Sequence, residues 1–146
     1  MLWAVVVLGL LILGAGAYVR LAPSDPTIWH IAPGTEAAAD CAVLRASDSA
    51  RLACVVAETP AAVLARLDAV AMATPRTLRL AGSAEEGRIT WITRTRLWGF
   101  PDYTTAEARA EGTGTRLDFY ARQRIGSKDW GVNAARLTDW KAALGL

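Results

Sequence analysis

Arg88-Ile-Thr-Trp-Ile-Thr-Arg-Thr-Arg-Leu-Trp98 and Arg116-Leu-Asp-Phe-Tyr-Ala-Arg-Gln-Arg-Ile125 both alternate with a period of two. Successive side chains of a β-strand point to opposite faces, so each run sorts its residues onto two sides. In the first, Ile89, Trp91 and Leu97 share a face with Thr93 and Thr95, and Arg88, Thr90, Arg94 and Arg96 share the other with Ile92. In the second, Leu117, Phe119, Ala121 and Ile125 oppose Arg116, Asp118, Tyr120, Arg122 and Arg124. Each run offers one apolar face to a core and one arginine-bearing face to something else.

Two further runs, Thr77 to Ser83 and Tyr103 to Glu111, carry the same period. Turns containing Gly82, Gly87, Gly99-Phe100-Pro101-Asp102 and Gly112-Thr113-Gly114 separate the four. Strands in succession with short links predict an antiparallel meander. Before it, Thr59-Pro60 reads as an N-cap followed by proline at the first helical position, and Val63, Leu64, Leu67, Val70 and Ala71 recur at helical spacing until Pro75. After it, Val132 to Leu144 places Leu137, Trp140 and Leu144 on one helical side, with Gly145 as terminator. The predicted class is α+β: an N-terminal transmembrane helix, then a four-stranded antiparallel sheet with two helices packed on one face, the domain spanning residues 59–146.

Residues 22–58 read as a connector. Pro23, Pro26 and Pro33 interrupt regular structure, while Trp29 and His30 are unusual for a tether and predict a strap held on the domain. Cys41 to Arg45 and Arg51 to Val56 fit a small hairpin around Ala46-Ser47-Asp48-Ser49-Ala50. A cross-strand Cys41–Cys54 disulfide suits that geometry and an exported domain; two buried thiols suit it equally.

Residues 1–21 are apolar, and the first charged side chain is Arg20. Leu2 to Leu21 reaches the roughly 20 residues needed to cross about 30 Å of hydrocarbon, with Trp3 and Tyr18 near the ends. A signal peptide is the rival, because Ala15-Gly16-Ala17 has the small-x-small form of a cleavage site, although no basic residue precedes the apolar core. Arg20 draws the following domain toward the inside of the cell by the positive-inside rule. The cysteines draw it outside.

Composition narrows the function classes. Sixteen Lys and Arg stand against 14 Asp and Glu, for a net charge of +2 with the signs mixed along the chain, which is not the basic field of a nucleic-acid binder. There is no Gly-x-Ser-x-Gly elbow, phosphate loop, dinucleotide fingerprint or His-Glu-x-x-His. The single histidine, His30, builds no multi-histidine metal site, and Cys41-x12-Cys54 has neither zinc nor redox spacing. No metal and no cofactor are expected.

One constellation remains. If the two arginine-bearing strands pair, directly or across the strand between them, Arg94, Arg96, Arg122 and Arg124 form a cationic patch. Each guanidinium keeps its charge and grips carboxylate or phosphate in two bonds. Glu85, Glu86, Asp102, Asp118 and Asp129 could neutralise it as ordinary surface pairs; an anion or lipid headgroup could occupy it; or its charge could stabilise a reaction. A carboxylate poised for acid–base work should sit in a cleft with an unpaired oxygen and a raised pKa, whereas a structural one should have both oxygens occupied. Asp129 and Asn133 stand where a helix N-terminus needs acceptors.

Pro75-Arg76-Thr77, Arg94-x-Arg96, Gly99-Phe100-x-Asp102, Arg122-x-Arg124-x-Gly126 and Asp129-x-Gly131-Val132-Asn133-x-x-Arg136 occur in that order over residues 60–146. Together they resemble the DUF1499 family of uncharacterised proteins. The connector, Tyr18 to Pro26 followed by Trp29-His30, looks like the family's membrane-anchored alphaproteobacterial version. Thr95 stands where the family often has serine, and Trp130 replaces a commoner aliphatic residue. The resemblance supplies no activity. It implies a bacterial envelope protein and suggests that Arg76, Arg94, Arg96, Asp102, Arg122, Arg124, Asp129, Asn133 and Arg136 belong together, the arginines as anion ligands and Asp102, Asp129 and Asn133 as a structural network.

The expectation is therefore a single-pass inner-membrane protein with a periplasmic, non-enzymatic domain. Its arginine face would bind a membrane-protein partner, an anionic lipid headgroup or an anionic small molecule. The alternative is a hydrolase or transferase acting on a phosphate- or carboxylate-bearing envelope substrate, with Asp102 or Asp129 as base. A purely structural subunit, docking through Trp29, Trp91 and Trp98, is the third reading.

Overall fold

The computed structural model describes residues 1–146. Its elements in chain order are α1 (Leu2–Leu21), α2 (Pro26–Trp29), β1 (Leu44–Arg45), β2 (Ser49–Val56), α3 (Pro60–Ala73), β3 (Thr77–Ser83), β4 (Arg88–Arg94), β5 (Pro101–Glu111), β6 (Gly114–Gln123) and α4 (Val132–Leu144). The meander β3 to β6 forms with every neighbour antiparallel. The sheet nevertheless has six strands, in the order β1-β2-β6-β5-β4-β3, and not four. The two added strands come from the hairpin read above as part of the connector. β2 pairs with β6 along its whole length, from Ser49 opposite Arg122 to Val56 opposite Thr115. Without β2, the long strand β6 would be an open edge with unpaired backbone groups.

The second correction concerns β4, which ends at Arg94 rather than running on to Trp98. The Gly99 N–H donates to the Thr95 carbonyl, the Thr95 N–H donates to the Phe100 carbonyl, and the Phe100 N–H donates to Thr95 Oγ1. These bonds close residues 95–100 into a turn, with Gly99 at φ +73° where glycine has least steric cost. Arg96, Leu97 and Trp98 leave the sheet at this point.

One face of the sheet carries the core. Leu52, Cys54, Ile89, Trp91, Ala106, Leu117, Phe119 and Ala121 pack there against Val63, Leu64, Leu67 and Ala71 of α3 and Leu137, Trp140 and Leu144 of α4. Both helices therefore cover the same face. Thr59 caps α3 through its hydroxyl, and Gly145 ends α4 in the left-handed conformation. Trp91 lies wholly buried, edge-on to Trp140 with ring centroids 5.4 Å apart, and its Nε1–H donates to Asp68 at 2.9 Å. It is thus no part of an exposed docking patch.

The opposite face, which bears the arginines, is covered by the connector. Asp25 caps the single turn α2 by accepting from the Thr27 N–H, and this turn lays Trp29 flat on Tyr103 with centroids 3.9 Å apart. His30 Nδ1 meets Thr90 Oγ1 at 2.9 Å, the Arg116 guanidinium donates to the Ala37 carbonyl at 2.7 Å, and Arg51 donates to the Pro33 carbonyl. Cys41 and Cys54 are joined by a disulfide with Cα atoms 4.6 Å apart, which ties the end of the strap to β2.

α1 projects from the domain with none of its residues buried, and it is long and apolar enough to cross a membrane; a signal sequence passes the same test. Its carboxyl half, from Ile12 on, lies beside the domain, and its carboxyl end is hydrogen-bonded to it. Arg20 donates to the Leu97 carbonyl at 2.7 Å, and Arg94 donates to the Val19 carbonyl at 3.3 Å.

Two expectations follow. The disulfide spans 13 positions, so replacing both cysteines by alanine should cost about 2–4 kcal/mol in urea unfolding, as loops of this size do. Burial, with Arg88 adding to it against weaker opposition from Glu86 and Glu107, holds the His30 imidazole below its usual pKa. The folded strap then binds fewer protons than the unfolded chain. Its contribution is complete above an unfolded imidazole value of about 6.5 and is lost as pH falls through the depressed one. Thermal melts at pH 7.5 and 5 should differ more for wild type than for His30→Gln; equal differences would deny His30 that role.

Candidate functional site

Registry fixes where the arginines go. Arg94 and Arg122 share the strap face with Tyr103, because Ile92 and Arg122 both oppose Tyr103, and Arg124 follows Arg122 on the same side. Arg96 does not join them; it is exposed on the 95–100 turn. Nor is the group of three an open patch. Arg122 donates to the Trp29 and Tyr120 carbonyls and to Thr105 Oγ1, while Arg124 donates to the Pro23 carbonyl at 3.1 Å and to the Tyr103 hydroxyl at 3.2 Å. Arg94 donates to the Gly99 carbonyl at 3.0 Å besides that of Val19. Carbonyls of the strap, α1 and the sheet, with the Thr105 and Tyr103 hydroxyls, take the donors expected to hold an anion. The signal for this lay in Trp29, but nothing local showed which carbonyls it would bring.

The remaining arginines divide between the two faces. Arg76 sits at φ +62° just before β3 and donates through Nε to the Arg94 carbonyl at 3.1 Å. Arg136 belongs to the helix face. From α4 its guanidinium donates to Asp102 Oδ2 at 3.0 Å and to Asn133 Oδ1 at 2.7 Å, and all three side chains are buried. Asp129 Oδ1 accepts from the Gly131 N–H at 2.8 Å and Oδ2 from the Asn133 N–H at 3.2 Å. Asp129 therefore supplies acceptors at the start of α4, whose N-cap position is Gly131. Asn133 is not a cap: its side-chain oxygen serves Arg136, and its Nδ2 lies buried with no partner.

Asp102 departs from its expected place on a turn. It is the second residue of β5, opposite Thr93 and Gln123, on the helix side of the sheet. Only 5% of it is exposed, Oδ1 takes no hydrogen bond, and burial outweighs Arg136 to push its carboxyl above the usual value, with Asp129 adding to the rise. It lines a hollow of about 370 Å³ together with Thr95, Phe100, Gln123, Lys128 and Trp130. Gln123 Nε2 is buried there without a partner. A second, apolar crevice of about 280 Å³ runs between the 95–100 turn and α1, lined by Ile12, Ala15, Gly16, Val19, Trp98 and Phe100. Phe100 belongs to both.

Charge is unevenly spread along the sheet. Arg51, Arg66, Arg79, Arg88, Arg109 and Arg116 pair with Glu36, Glu58, Asp68, Glu107 and Asp118, away from α1. Arg136 pairs with Asp102 inside the protein. The arginines with no carboxylate partner are Arg20, Arg45, Arg76, Arg94, Arg96, Arg122 and Arg124. Strand register and hydrogen bonds put them all at the sheet end where α1 enters. Asp25, Asp48 and Asp129 lie at the same end, but their oxygens serve backbone or hydroxyl donors. No group of His, Cys, Asp and Glu is arranged to hold a metal ion.

A family model described as "Protein of unknown function (DUF1499)" matches residues 31–144, and the chain belongs to that family. The match begins well before residue 60 and so takes in β1, β2 and the end of the strap. No curated protein matches the chain. Among solved structures, protein Ms6760 from Mycobacterium smegmatis is similar at 8% identity and a TM-score of 0.39, over 70% of this chain and 90% of that one.

Removing the Asp102 carboxylate strands the Arg136 guanidinium in a buried site. Asp102→Ala should cost about 3–5 kcal/mol of stability in denaturant melts, the range for breaking a buried pair. A loss under 1 kcal/mol would mean that the pair braces nothing.

Proposed function

We propose that this DUF1499 member is a single-pass envelope protein whose domain sits against the bilayer and binds anionic groups at the membrane surface, without catalysing a reaction. The observation that carries this reading is the arginine asymmetry. Seven guanidinium groups lack a carboxylate, and all lie toward the sheet end that α1 enters, although Arg45 is on the edge strand β1, across the sheet from the helix contacts at β4. Positive side chains beside a membrane gain about 1 kcal/mol each from an anionic leaflet. The disulfide favours the oxidising side of the inner membrane, in agreement with a periplasmic domain. The binding surface differs from the sheet face first expected. Arg122 and Arg124 brace the strap, leaving Arg96, Arg20 and Arg94 around the 95–100 turn as the cations nearest the bilayer.

One observation favours the enzymatic alternative. Asp102 meets the stated criterion for a general base, with a free oxygen, a hollow and a raised pKa, whereas Asp129 does not. A hydrolase or transferase acting on a phosphate-bearing substrate would use Asp102 as that base.

Arg96 is exposed and makes no hydrogen bond, so its substitution tests the binding reading without disturbing the fold. In intact protein held in neutral detergent, Arg96→Glu should weaken phosphatidylglycerol binding about tenfold at low salt, since it changes the local charge by two. Native mass spectrometry would measure the lipid retained. Equal retention by wild type and variant, at low and high salt alike, would defeat the reading.

A further inference from the structure

Asp102 Oδ1 accepts no hydrogen bond, Gln123 Nε2 is a buried donor with no partner, and both residues line one hollow. A buried polar group without a partner costs about 1–3 kcal/mol, so a pair of opposite kind facing one cavity marks a place where a ligand supplies what the fold omits. The rest of the wall is divided. Lys128 provides a cation and Asp129 a carboxylate whose oxygens accept from the Gly131 and Asn133 N–H groups, while Phe100, Ile125, Trp130 and Val132 provide an apolar side. Trp130 is 84% exposed and held at φ +56°, a conformation with a steric cost for a non-glycine residue. Four of the five sequence pieces that carry the family resemblance contribute to this wall, and the function argued above uses little of it.

The hollow does not end in solvent on every side. Phe100 is also part of the crevice against α1, which is walled by Ile12, Ala15, Gly16, Val19 and Trp98. At about 1.5 Å rise per residue, Ile12 lies roughly 13 Å along the helix from Leu21. The crevice is therefore at hydrocarbon depth if α1 spans. A polar recess and an apolar crevice sharing one aromatic residue have the form of a headgroup and a chain.

We infer that the hollow and the crevice together hold one membrane phospholipid whose headgroup ends in a hydrogen-bond donor, a primary ammonium or a hydroxyl. The donor meets Asp102 Oδ1. Gln123 Nε2 and Lys128 meet phosphodiester oxygens, and an acyl chain passes Phe100 and Trp98 to lie along Gly16. The inference rests on the membrane-spanning reading of α1 and deepens it by naming the ligand.

Phosphatidylethanolamine and phosphatidylcholine provide the test, because they share charge and phosphate and differ in the N–H donors. Intact protein, delipidated in neutral detergent, is titrated with each and followed by native mass spectrometry. Phosphatidylethanolamine should bind at least tenfold tighter. Lys128→Glu, on an exposed side chain, and Gly16→Leu, where an added Cβ meets nothing within 4 Å, should each weaken it at least fivefold without changing the melting curve. Equal binding of the two lipids would overturn the donor assignment. Loss of effect in Gly16→Leu, with water-soluble glycerophosphoethanolamine binding as tightly as the lipid, would overturn the lipid in favour of a soluble phosphoamine. The intact mass of protein purified from membranes separates the two levels. A chain lacking its first residues sinks the spanning reading itself, whereas a complete chain with no lipid preference sinks this inference alone.

Discussion

A guanidinium taken out of water without a carboxylate must find neutral acceptors, and Arg122 finds them in the Trp29 and Tyr120 carbonyls and the Thr105 hydroxyl. Burial lowers its affinity for the proton, yet arginine keeps its charge in any case, so the requirement cannot be escaped by neutralisation. The strap supplies the acceptor that lies nearest the Trp29–Tyr103 stack. Were the connector free, Arg122, Tyr103 and Thr105 would face water on an open sheet, and the arginine surface would have the ordinary solvated character that alternation alone suggests. The fold thus has two covered faces of different chemistry: one closed by the apolar sides of α3 and α4, the other by a proline-rich segment held through arginine donors and one aromatic stack.

On the helix face the same economy produces a different result. Arg136 reaches Asp102 through the layer between α4 and β5, and Asn133 completes its coordination. Asp129 positions the start of α4 by accepting from the Gly131 and Asn133 N–H groups. The arrangement locks helix to sheet but leaves Asn133 Nδ2 and Gln123 Nε2 buried without a partner and Asp102 Oδ1 without a hydrogen bond. Bracing and recognition meet at Asp102, whose two oxygens face the two tasks. Its elevated pKa reflects that position, since one cation only partly offsets the cost of burying its charge.

Much of this was legible beforehand and some was not, for reasons that differ by residue. The faces of β4 and β6, the limits of α4, the Thr59 cap and the packing of the strap through Trp29 all depend on period, capping or the burial of a large aromatic, which are local properties. Strand β2 was visible as an apolar run, but its pairing with β6 brings together residues about seventy positions apart, and no local pattern specifies which edge a hairpin will join. Arg96 was misplaced because alternation continues past Arg94 on paper, whereas three hydrogen bonds around Thr95 close the chain into a turn. Grouping the arginines by spacing treated charge as the property that assembles them. What distributes them in space is the carbonyls and carboxylates within reach of each.

Sequence alone determined that the first helix is apolar and carries no charge before Arg20, that the domain is an α+β meander with its helices at predictable limits, and that arginines concentrate on one strand face. These follow from side-chain period and transfer from water, which act over a few residues at a time. Tertiary structure decided that six strands rather than four make the sheet, that the arginine face is shut by the strap, and that Asp102 lines a recess sharing Phe100 with the crevice beside α1. Those outcomes depend on which backbone groups meet across long separations, and a contact of that kind has no signature in any short stretch of residues.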